Sequence, residues 1–397
     1  MCHPIRVALF QSRIRELAQQ AGFALGGIAA VPEAASSESL EERERFAGWV
    51  KDGRAGEMDY LKRTDESGDY LRSSVRTAFP WARSVIVCVA DYSSPHPRSI
   101  EPAPAGTAWI ARYAWSGDSA ANGETPRPSD YHKVLLKRLQ RIDAVLREQN
   151  PEMESRSYVD TGPLVERVYA RYAGLGWTGK NTCLLNQDLG SWLFLGVILT
   201  SLEVAPGEPA IPAADRCGSC TRCIDACPTQ ALTPYRMDAS RCIAYLTIEK
   251  RGPIPRGDHG TDLREGIGRN VFGCDICQDV CPWNKKSAEK KLSGREVAIT
   301  AGSGPGTGSD PALTPREALV NPALDWLAAF TERDFGAWFF GSPVKRARYD
   351  GFRRNLAIAM GNSGLDRFIP QLREWSQAAD EGLSSAAAWA LQNLENA

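Results

Sequence analysis

Apolar residues along this chain fall into two periods. Residues 84–90 read Ser-Val-Ile-Val-Cys-Val-Ala, an unbroken β-branched run that predicts a strand buried on both faces. Residues 192–200, Trp-Leu-Phe-Leu-Gly-Val-Ile-Leu-Thr, predict a second buried strand. Between them the period lengthens to that of a helix. Leu135, Leu139, Ile142 and Leu146 line one helical face, and Ile14, Leu17 and Ala21 line another near the N-terminus. Strands alternating with helices predict a layered sheet-and-helix domain over residues 1–205. Two Pro-rich stretches interrupt it, 93–106 and 116–130, and the second predicts a mobile excursion.

Residues 285–315 are rich in Lys, Gly and Ser and predict a flexible linker. Residues 316–397 carry helical periods only. Within them Asn355-Leu356-Ala357-Ile358-Ala359-Met360-Gly361-Asn362 resembles Ala386-Ala387-Ala388-Trp389-Ala390-Leu391-Gln392-Asn393, about 31 residues later. That offset predicts stacked helix pairs of the HEAT-like kind, against coincidence between two Ala-rich helices. The fold class expected is therefore α+β: an N-terminal α/β domain (1–205), a small module (206–284), a linker (285–315) and a helical-repeat domain (316–397).

Composition excludes more than it identifies. The chain has 397 residues, 43% of them hydrophobic, and a net charge of −1, so it is not an electrostatic nucleic-acid binder as a whole, although a local basic patch is allowed. No apolar run reaches the length of a membrane span, and residues 1–30 lack a secretory pattern, so the expectation is a cytoplasmic protein with no membrane partner. No Gly-x-Gly-x-x-Gly follows a strand and no phosphate-binding Gly-x-x-x-x-Gly-Lys-Ser/Thr occurs, which leaves nucleotide sites unsupported.

The chemistry lies in residues 206–284. Cys217, Cys220, Cys223 and Cys227-Pro228 form the bacterial ferredoxin run. Cys274, Cys277 and Cys281-Pro282 form a second run that lacks one leading Cys, and the isolated Cys242 can replace it. In such runs the Cys before Pro serves the other cluster. The first 4Fe–4S cluster then takes Cys217, Cys220, Cys223 and Cys281, and the second takes Cys227, Cys242, Cys274 and Cys277. Zinc prefers two well-separated Cys pairs and fits this spacing poorly. Disulfides belong to small secreted domains. Cys88, inside the first strand, reads as a small core residue.

A bare ferredoxin needs no 200-residue domain in front of it, so a second redox cofactor is expected there. Val159-Asp160-Thr161-Gly162-Pro163 places a carboxylate after a short strand-like run and before a helix bearing Leu164, Val165 and Val168. Asp160 is a candidate general acid, and a helix N-cap is the competing reading. Trp177-Thr178-Gly179-Lys180-Asn181-Thr182 reads as a Gly-containing turn that carries a Lys.

Taken together, the cluster run, Tyr245-Leu246-Thr247-Ile248-Glu249, Phe272-Gly273-Cys274-Asp275-Ile276-Cys277-Gln278, Cys281-Pro282-Trp283-Asn284, Val159-Asp160-Thr161-Gly162-Pro163-Leu164 with Glu166-Arg167, and Gly176-Trp177 with Gly179-Lys180-Asn181-Thr182 resemble the epoxyqueuosine reductase family over roughly residues 8–285. The resemblance implies a cobalamin-binding domain fused to a two-cluster module, acting on a modified wobble base of tRNA as the last step of queuosine synthesis. It implies Asp160 as proton donor in a low-dielectric pocket that raises its pKa, with Arg72, Asp160, Lys180 and Gln278 near the cobalamin. After Arg72 the family's Asp-Pro is replaced by Ser74-Val75, and residues 116–130 are longer than the family pattern. Lys250 and Arg251 become candidate contacts to tRNA phosphate, against a solvated basic turn. No His stands in an Asp-x-His-x-x-Gly setting, so cobalamin is expected base-off. The partners expected are tRNA and an electron donor such as a flavodoxin or ferredoxin, and the enzyme is expected to be a monomer. The alternatives are a cobalamin-dependent dehalogenase acting on a small molecule and a plain electron carrier.

The ligand count makes the iron content testable. Anaerobically reconstituted protein should hold about eight irons and about eight sulfides per chain. A content near four irons, or tightly bound zinc, would contradict the two-cluster reading.

Overall fold

In the computed structural model the described residues are 8–119, 127–207, 210–257, 262–292 and 310–396. They divide into two compact units, each discontinuous in the chain. The first is built from 1–93, 131–220 and 282–310, the second from 94–130, 221–281 and 311–397. The consecutive regions expected from composition are thus interleaved: segment 94–130 clusters with residues 221–281 and the C-terminal helices, and not with the central sheet.

The first unit centres on a four-stranded antiparallel sheet. Its strands are β1 (Leu25–Ala30), β2 (Ser84–Asp91), β3 (Ser155–Tyr158) and β4 (Leu193–Thr200), in the order β1-β2-β4-β3. The two apolar runs become β2 and β4, paired over eight residues from Leu193 opposite Asp91 to Thr200 opposite Ser84. Both faces of β2 are covered. Val85, Val87 and Val89 join Leu164, Ala170, Val197 and Leu199 in one core. Ile86 and Cys88 lie on the opposite face and are fully buried, so Cys88 is the core residue expected. Three helices flank the sheet: α1 (Gln11–Gln20), α2 (Tyr131–Gln149) and α3 (Glu166–Tyr172). Leu135, Leu139, Ile142 and Leu146 of α2 are all buried, the face read from the sequence. Among the described residues no helix is long and apolar enough to cross a membrane.

Residues 285–292, expected within a linker, belong to a helix, Pro282–Leu292. Proline at its first position is preset for a helix, and the Lys/Glu/Ala-rich sequence that follows has high helix propensity. Lys290 pairs with Asp188 at 2.5 Å, and Lys291 pairs with Asp91 and Ser93. The Gly/Ser-rich remainder of that linker, including 301–306, lies outside the described residues. The excursion at 116–130 is not loop throughout. Ser116–Asp118 pairs with Arg127–Pro128 and with Thr314–Pro315, while its centre lies outside the described residues.

The two cysteine runs, of which Cys217 and Cys220 fall in the first unit and the rest in the second, fold alike. Each carries one turn of helix, Arg222–Asp225 and Ile276–Asp279, and the peptide N–H of the Cys before Pro bonds three residues back, Cys227 to Ile224 and Cys281 to Gln278, both at 3.1 Å. Cys277 thereby corresponds to Cys223 and Cys281 to Cys227. Between the runs lies α4 (Ile243–Ile248), and after them come α5 (Arg348–Gly361) and α6 (Glu381–Glu395). Helices α5 and α6 pack so closely that a Cβ on Gly361 would lie 2.7 Å from the Ala390 Cβ. The matched asparagines of the repeat act alike. Asn362 Nδ2 donates to Arg264 O at 2.9 Å and Gly268 O at 3.1 Å, and Asn393 Nδ2 donates to Gly361 O at 3.0 Å.

A buried pair on α5 secures the turn after α4. Arg354, 1% exposed, donates to Leu246 O at 2.7 Å, Lys250 O at 2.8 Å and Gly252 O at 2.9 Å. Asn355 donates to Thr247 O and Val271 O and accepts from Arg354. These are carbonyls that a helix end leaves without partners. Arg354→Met would fill the volume and strand three carbonyls. Its expected cost is roughly 3 kcal/mol, read as a lower denaturant midpoint for the second unit. An unchanged midpoint would show that water replaces the guanidinium without loss.

Candidate active site and cluster centre

Asp160 follows β3 in a left-handed conformation, φ +55°. Aspartate tolerates this region better than most residues. The loop is pinned at both ends. Val159 and Leu164 are buried, and Arg72 Nη1 donates to Leu164 O at 3.4 Å. Gly162 is required by contact: a Cβ there would lie 2.6 Å from Tyr158 and from Leu164. Helix α3 begins only at Glu166, with Val165 as N-cap. Asp160 therefore caps no helix, and the competing reading of this residue falls away.

The Asp160 side chain is 69% exposed, so these residues do not form the low-dielectric pocket expected around it. Tyr131 Oη donates to Asp160 Oδ2 at 3.2 Å, and His132 Nε2 lies 4.0 Å from the same oxygen. Tyr131 is held by stacking on Phe194 of β4, with ring centroids 4.1 Å apart. The acid of this site with an oxygen out of solvent is Glu166, half-buried as a residue. Burial, then the Asp160 charge, push its carboxyl from an ordinary 4.5 up to about 7, against the pull of Arg72 and Arg167. Its Oε1 is out of solvent with no hydrogen-bond partner. Sequence reasoning passed over Glu166, Tyr131 and His132. Glu166 stands in the quoted motif, but nothing local shows that the carboxyl of a helix-starting Glu is shielded.

Lys180 lies on the turn between the short strands Trp177–Thr178 and Leu184–Leu185. Its Nζ donates to Gly218 O at 2.6 Å and Cys220 O at 3.1 Å, so its charge steadies the first cysteine loop. Burial raises the Cys217 thiol, while the Lys180 peptide N–H and the Trp177 indole act in the opposite sense and favour its thiolate. Donors aimed at the sulfur of a cluster ligand are a known lever on such centres.

In the second unit Cys274 is brought close to the isolated Cys242 and to Cys227. Burial and then the Cys242 charge hold the Cys274 thiol well above its ordinary range, with Cys227 adding to the effect. The Ala231 peptide N–H donates to Cys227 Sγ at 3.3 Å. Three of the four residues assigned to the second cluster are thus gathered, with Cys277 one helical turn from Cys274. Among the described residues no three Cys, His or carboxylate donors converge as a single metal ion would need. A cubane instead spreads its four thiolates, one to each iron. No disulfide joins any two of the ten described cysteines. Gly273, at φ +69°, sends its N–H to Thr247 Oγ1 at 2.9 Å and leaves 2.5 Å between a would-be Cβ and Ala111. Asp275 accepts the Arg112 peptide N–H at 2.6 Å. Burial and the Asp279 charge push it up to about 7. The Arg112 guanidinium bonds the carbonyls of Ser94, His96 and Pro97, a structural role.

Gln278 is half-buried on the helical turn after Cys277. Arg251 donates to Ile248 O at 3.0 Å, Ala347 O at 3.2 Å and Arg346 O at 2.9 Å. It closes the end of α4, because helix-terminal carbonyls need donors. Lys250 is half-buried beside it.

Residues 216–284 match the family described as a 4Fe–4S double cluster binding domain. Residues 72–161, which end one residue past Asp160, match epoxyqueuosine reductase QueG. An epoxyqueuosine reductase from Synechocystis is 38% identical over 330 residues, covering 83% of this chain and 98% of that protein. The chain belongs to the epoxyqueuosine reductase family. It is an oxidoreductase that reduces epoxyqueuosine to queuosine, and its double cluster domain carries 4Fe–4S centres. Two solved members share its fold at 26% identity, each aligned over 96% of this chain. One holds an epoxyqueuosine-modified tRNA-Tyr stem loop, with a TM-score of 0.73 over 89% of that chain. The other, from Bacillus subtilis, has its aspartate catalytic loop swung out of the active site, with a TM-score of 0.72 over 90% of that chain. At this similarity the dehalogenase and plain electron-carrier alternatives give way to the family's own reaction.

The shifted Glu166 makes stability depend on pH. The folded protein holds this proton up to about 7, and the unfolded chain releases it near 4.5. The folded state therefore binds more protons in that window, and its stability falls as pH rises through it. Glu166→Gln cannot ionise. Its melting temperature minus that of wild type should climb between those two pH values and level off above. A difference that stays constant with pH would show that Glu166 is not held protonated.

Proposed function

We propose that this enzyme acts on epoxyqueuosine within tRNA, with Asp160 as the acid that protonates the departing epoxide oxygen. The observation that carries this reading is the placement of Asp160. It sits on a pinned loop at the end of an edge strand of the main sheet, in a left-handed conformation, exposed, and without a capping role. A Bacillus subtilis relative has a catalytic aspartate on a mobile loop. Exposure lets the Asp160 loop meet a bound base, and the covering base would supply the burial that the protein alone does not. A single-stranded anticodon loop presents such a base without the cost of unpairing a duplex.

Cobalamin is the second redox group of this reading. Arg72 and Asp160 fit its holding, since both line the loop that ends β3, and Gln278 fits beside Cys277. Lys180 contributes indirectly, because its ammonium is engaged by the first cysteine loop. When bound, cobalamin supplies a strongly reducing centre fed one electron at a time. The residues of the chain do the remaining work. Tyr131 orients the Asp160 carboxyl through its hydroxyl, and Phe194 fixes Tyr131. The first cluster is assigned to Cys217, Cys220, Cys223 and Cys281 on sequence spacing. The second is assigned to Cys227, Cys242, Cys274 and Cys277.

In the same reading residues 1–205 carry the substrate chemistry, 206–284 the clusters and 316–397 HEAT-like repeats. Lys250 touches tRNA phosphate, and Arg251 holds the turn that presents it. The enzyme works as a monomer in the cytoplasm and draws electrons from a flavodoxin or ferredoxin.

Asp160→Asn tests the central claim. Asn keeps the shape, tolerates the left-handed conformation and removes the transferable proton. Turnover of epoxyqueuosine-tRNA should fall by about 100-fold or more, with iron content and tRNA affinity unchanged. Turnover close to wild type would remove Asp160 from the chemistry.

A further inference from the structure

The turn after the first cysteine run is built around one sulfur. Gln230 takes a left-handed conformation, φ +52°, and its peptide N–H closes the turn on Cys227 O at 3.1 Å. A non-glycine residue is uncommon in that region. The reversal aims the Ala231 peptide N–H back at Cys227 Sγ, 3.3 Å away. Thr229 lies inside the turn, fully buried, with its Oγ1 3.8 Å from the same sulfur. The rest of Thr229 is held in place. Arg241 Nε donates to Thr229 O at 3.0 Å, and a Cβ on Gly266 would lie 2.8 Å from the Thr229 methyl. A β-branched side chain is stiff at χ1, so packing the methyl fixes where the hydroxyl points. Among the described residues that hydroxyl meets no hydrogen-bonding atom but the Cys227 sulfur. A buried hydroxyl needs a partner. A thiolate bound to iron has no proton to give, so the hydroxyl donates and the sulfur accepts.

We propose that Thr229 raises the reduction potential of the second 4Fe–4S cluster by donating its hydroxyl hydrogen to the Cys227 sulfur. This rests on Cys227 being a ligand of that cluster. Taking up one electron adds one negative charge to the cluster and its thiolates. A donor aimed at a ligand sulfur stabilises the reduced form more than the oxidised one. The hydroxyl is out of water, so solvent does not screen the interaction. Thr229 acts through the sulfur and touches no substrate.

The two cysteine runs differ at this point. Past Cys281 the chain enters the helix Pro282–Leu292 directly. The position of Thr229 is taken there by Trp283, which has no hydroxyl and packs edge-on against Trp177, with ring centroids 5.1 Å apart. The consequence is directional. One electron passes from the first cluster to the second, so the first is oxidised and the second reduced, with no bond broken and no proton moved. A raised potential at the second cluster favours that transfer. It holds the electron on the side of Cys277 and Gln278, where the cobalamin reading puts the next acceptor.

The test is an anaerobic redox titration of the reconstituted holoenzyme, followed by the electron spin resonance signal of each reduced cluster. Cys242→Ala removes a ligand of the second cluster, so the wave it loses is that cluster's. Thr229→Val keeps the shape and removes the hydroxyl. The second cluster's wave should then move to lower potential by about tenfold in its reduction equilibrium, about 59 mV for one electron, with iron content and the other wave unchanged. Thr229→Ser keeps the hydroxyl and should titrate as wild type. Two unmoved waves in Thr229→Val would overturn the proposal and leave the ligand assignment standing. Movement of the wave that survives in Cys242→Ala would overturn the assignment of Cys227, and the proposal with it. An equal shift in Thr229→Ser would trace the effect to packing and overturn it too. If Thr229→Val fails to load iron, Thr229→Ser and Thr229→Ala decide, since they differ by the hydroxyl alone. A lower potential in Thr229→Ala than in Thr229→Ser supports the proposal, and equal potentials overturn it.

Discussion

The eight-residue antiparallel pairing of β2 with β4 is what the candidate active site depends on. Strand β4 pairs on its other edge with β3, Val197 opposite Tyr158, and so sets where β3 ends and where Asp160 begins. The same strand carries Phe194, on which Tyr131 stacks before its hydroxyl reaches Asp160. A one-residue slip would turn Phe194 to the other face and move the end of β3. Burial on both faces forbids that slip, because Val85, Val87 and Val89 would exchange places with Ile86, Cys88 and Ala90. The Asp160 carboxyl is thus positioned by the most apolar part of the chain.

Charge is managed differently in the two units. Near Asp160 the shielded carboxyl is that of Glu166, and desolvation pushes it up to about 7. Around the second cysteine run the buried groups are thiols and the pair Asp275 and Asp279, all pushed upward by burial. Arg112, Ser99 and the Gly273 N–H supply hydrogen bonds there, and Arg354 with Asn355 fixes the turn behind them. Iron provides the countercharge that a thiolate set needs, which is why so many thiols can be gathered in one place.

What the sequence determined by itself is what depends on neighbours along the chain. Cysteines at two- and three-residue gaps before proline specify a ferredoxin module, since one short loop must reach several irons. The two apolar runs specify buried strands, and the period of α2 specifies its face. Joint motifs specified the family, and with it the reaction. The tertiary structure decided what depends on distant segments. It made Val165 the cap of α3 and left Asp160 without that role. It engaged Arg251 and Lys180 with backbone carbonyls from segments 38 to 96 residues away, where the local sequence shows only solvated cations. It continued a helix to Leu292 through Lys-rich sequence that composition alone assigns to a linker. It also shielded the Glu166 carboxyl, because shielding is conferred by the strands that pack on a residue, and no spacing in its own segment encodes them.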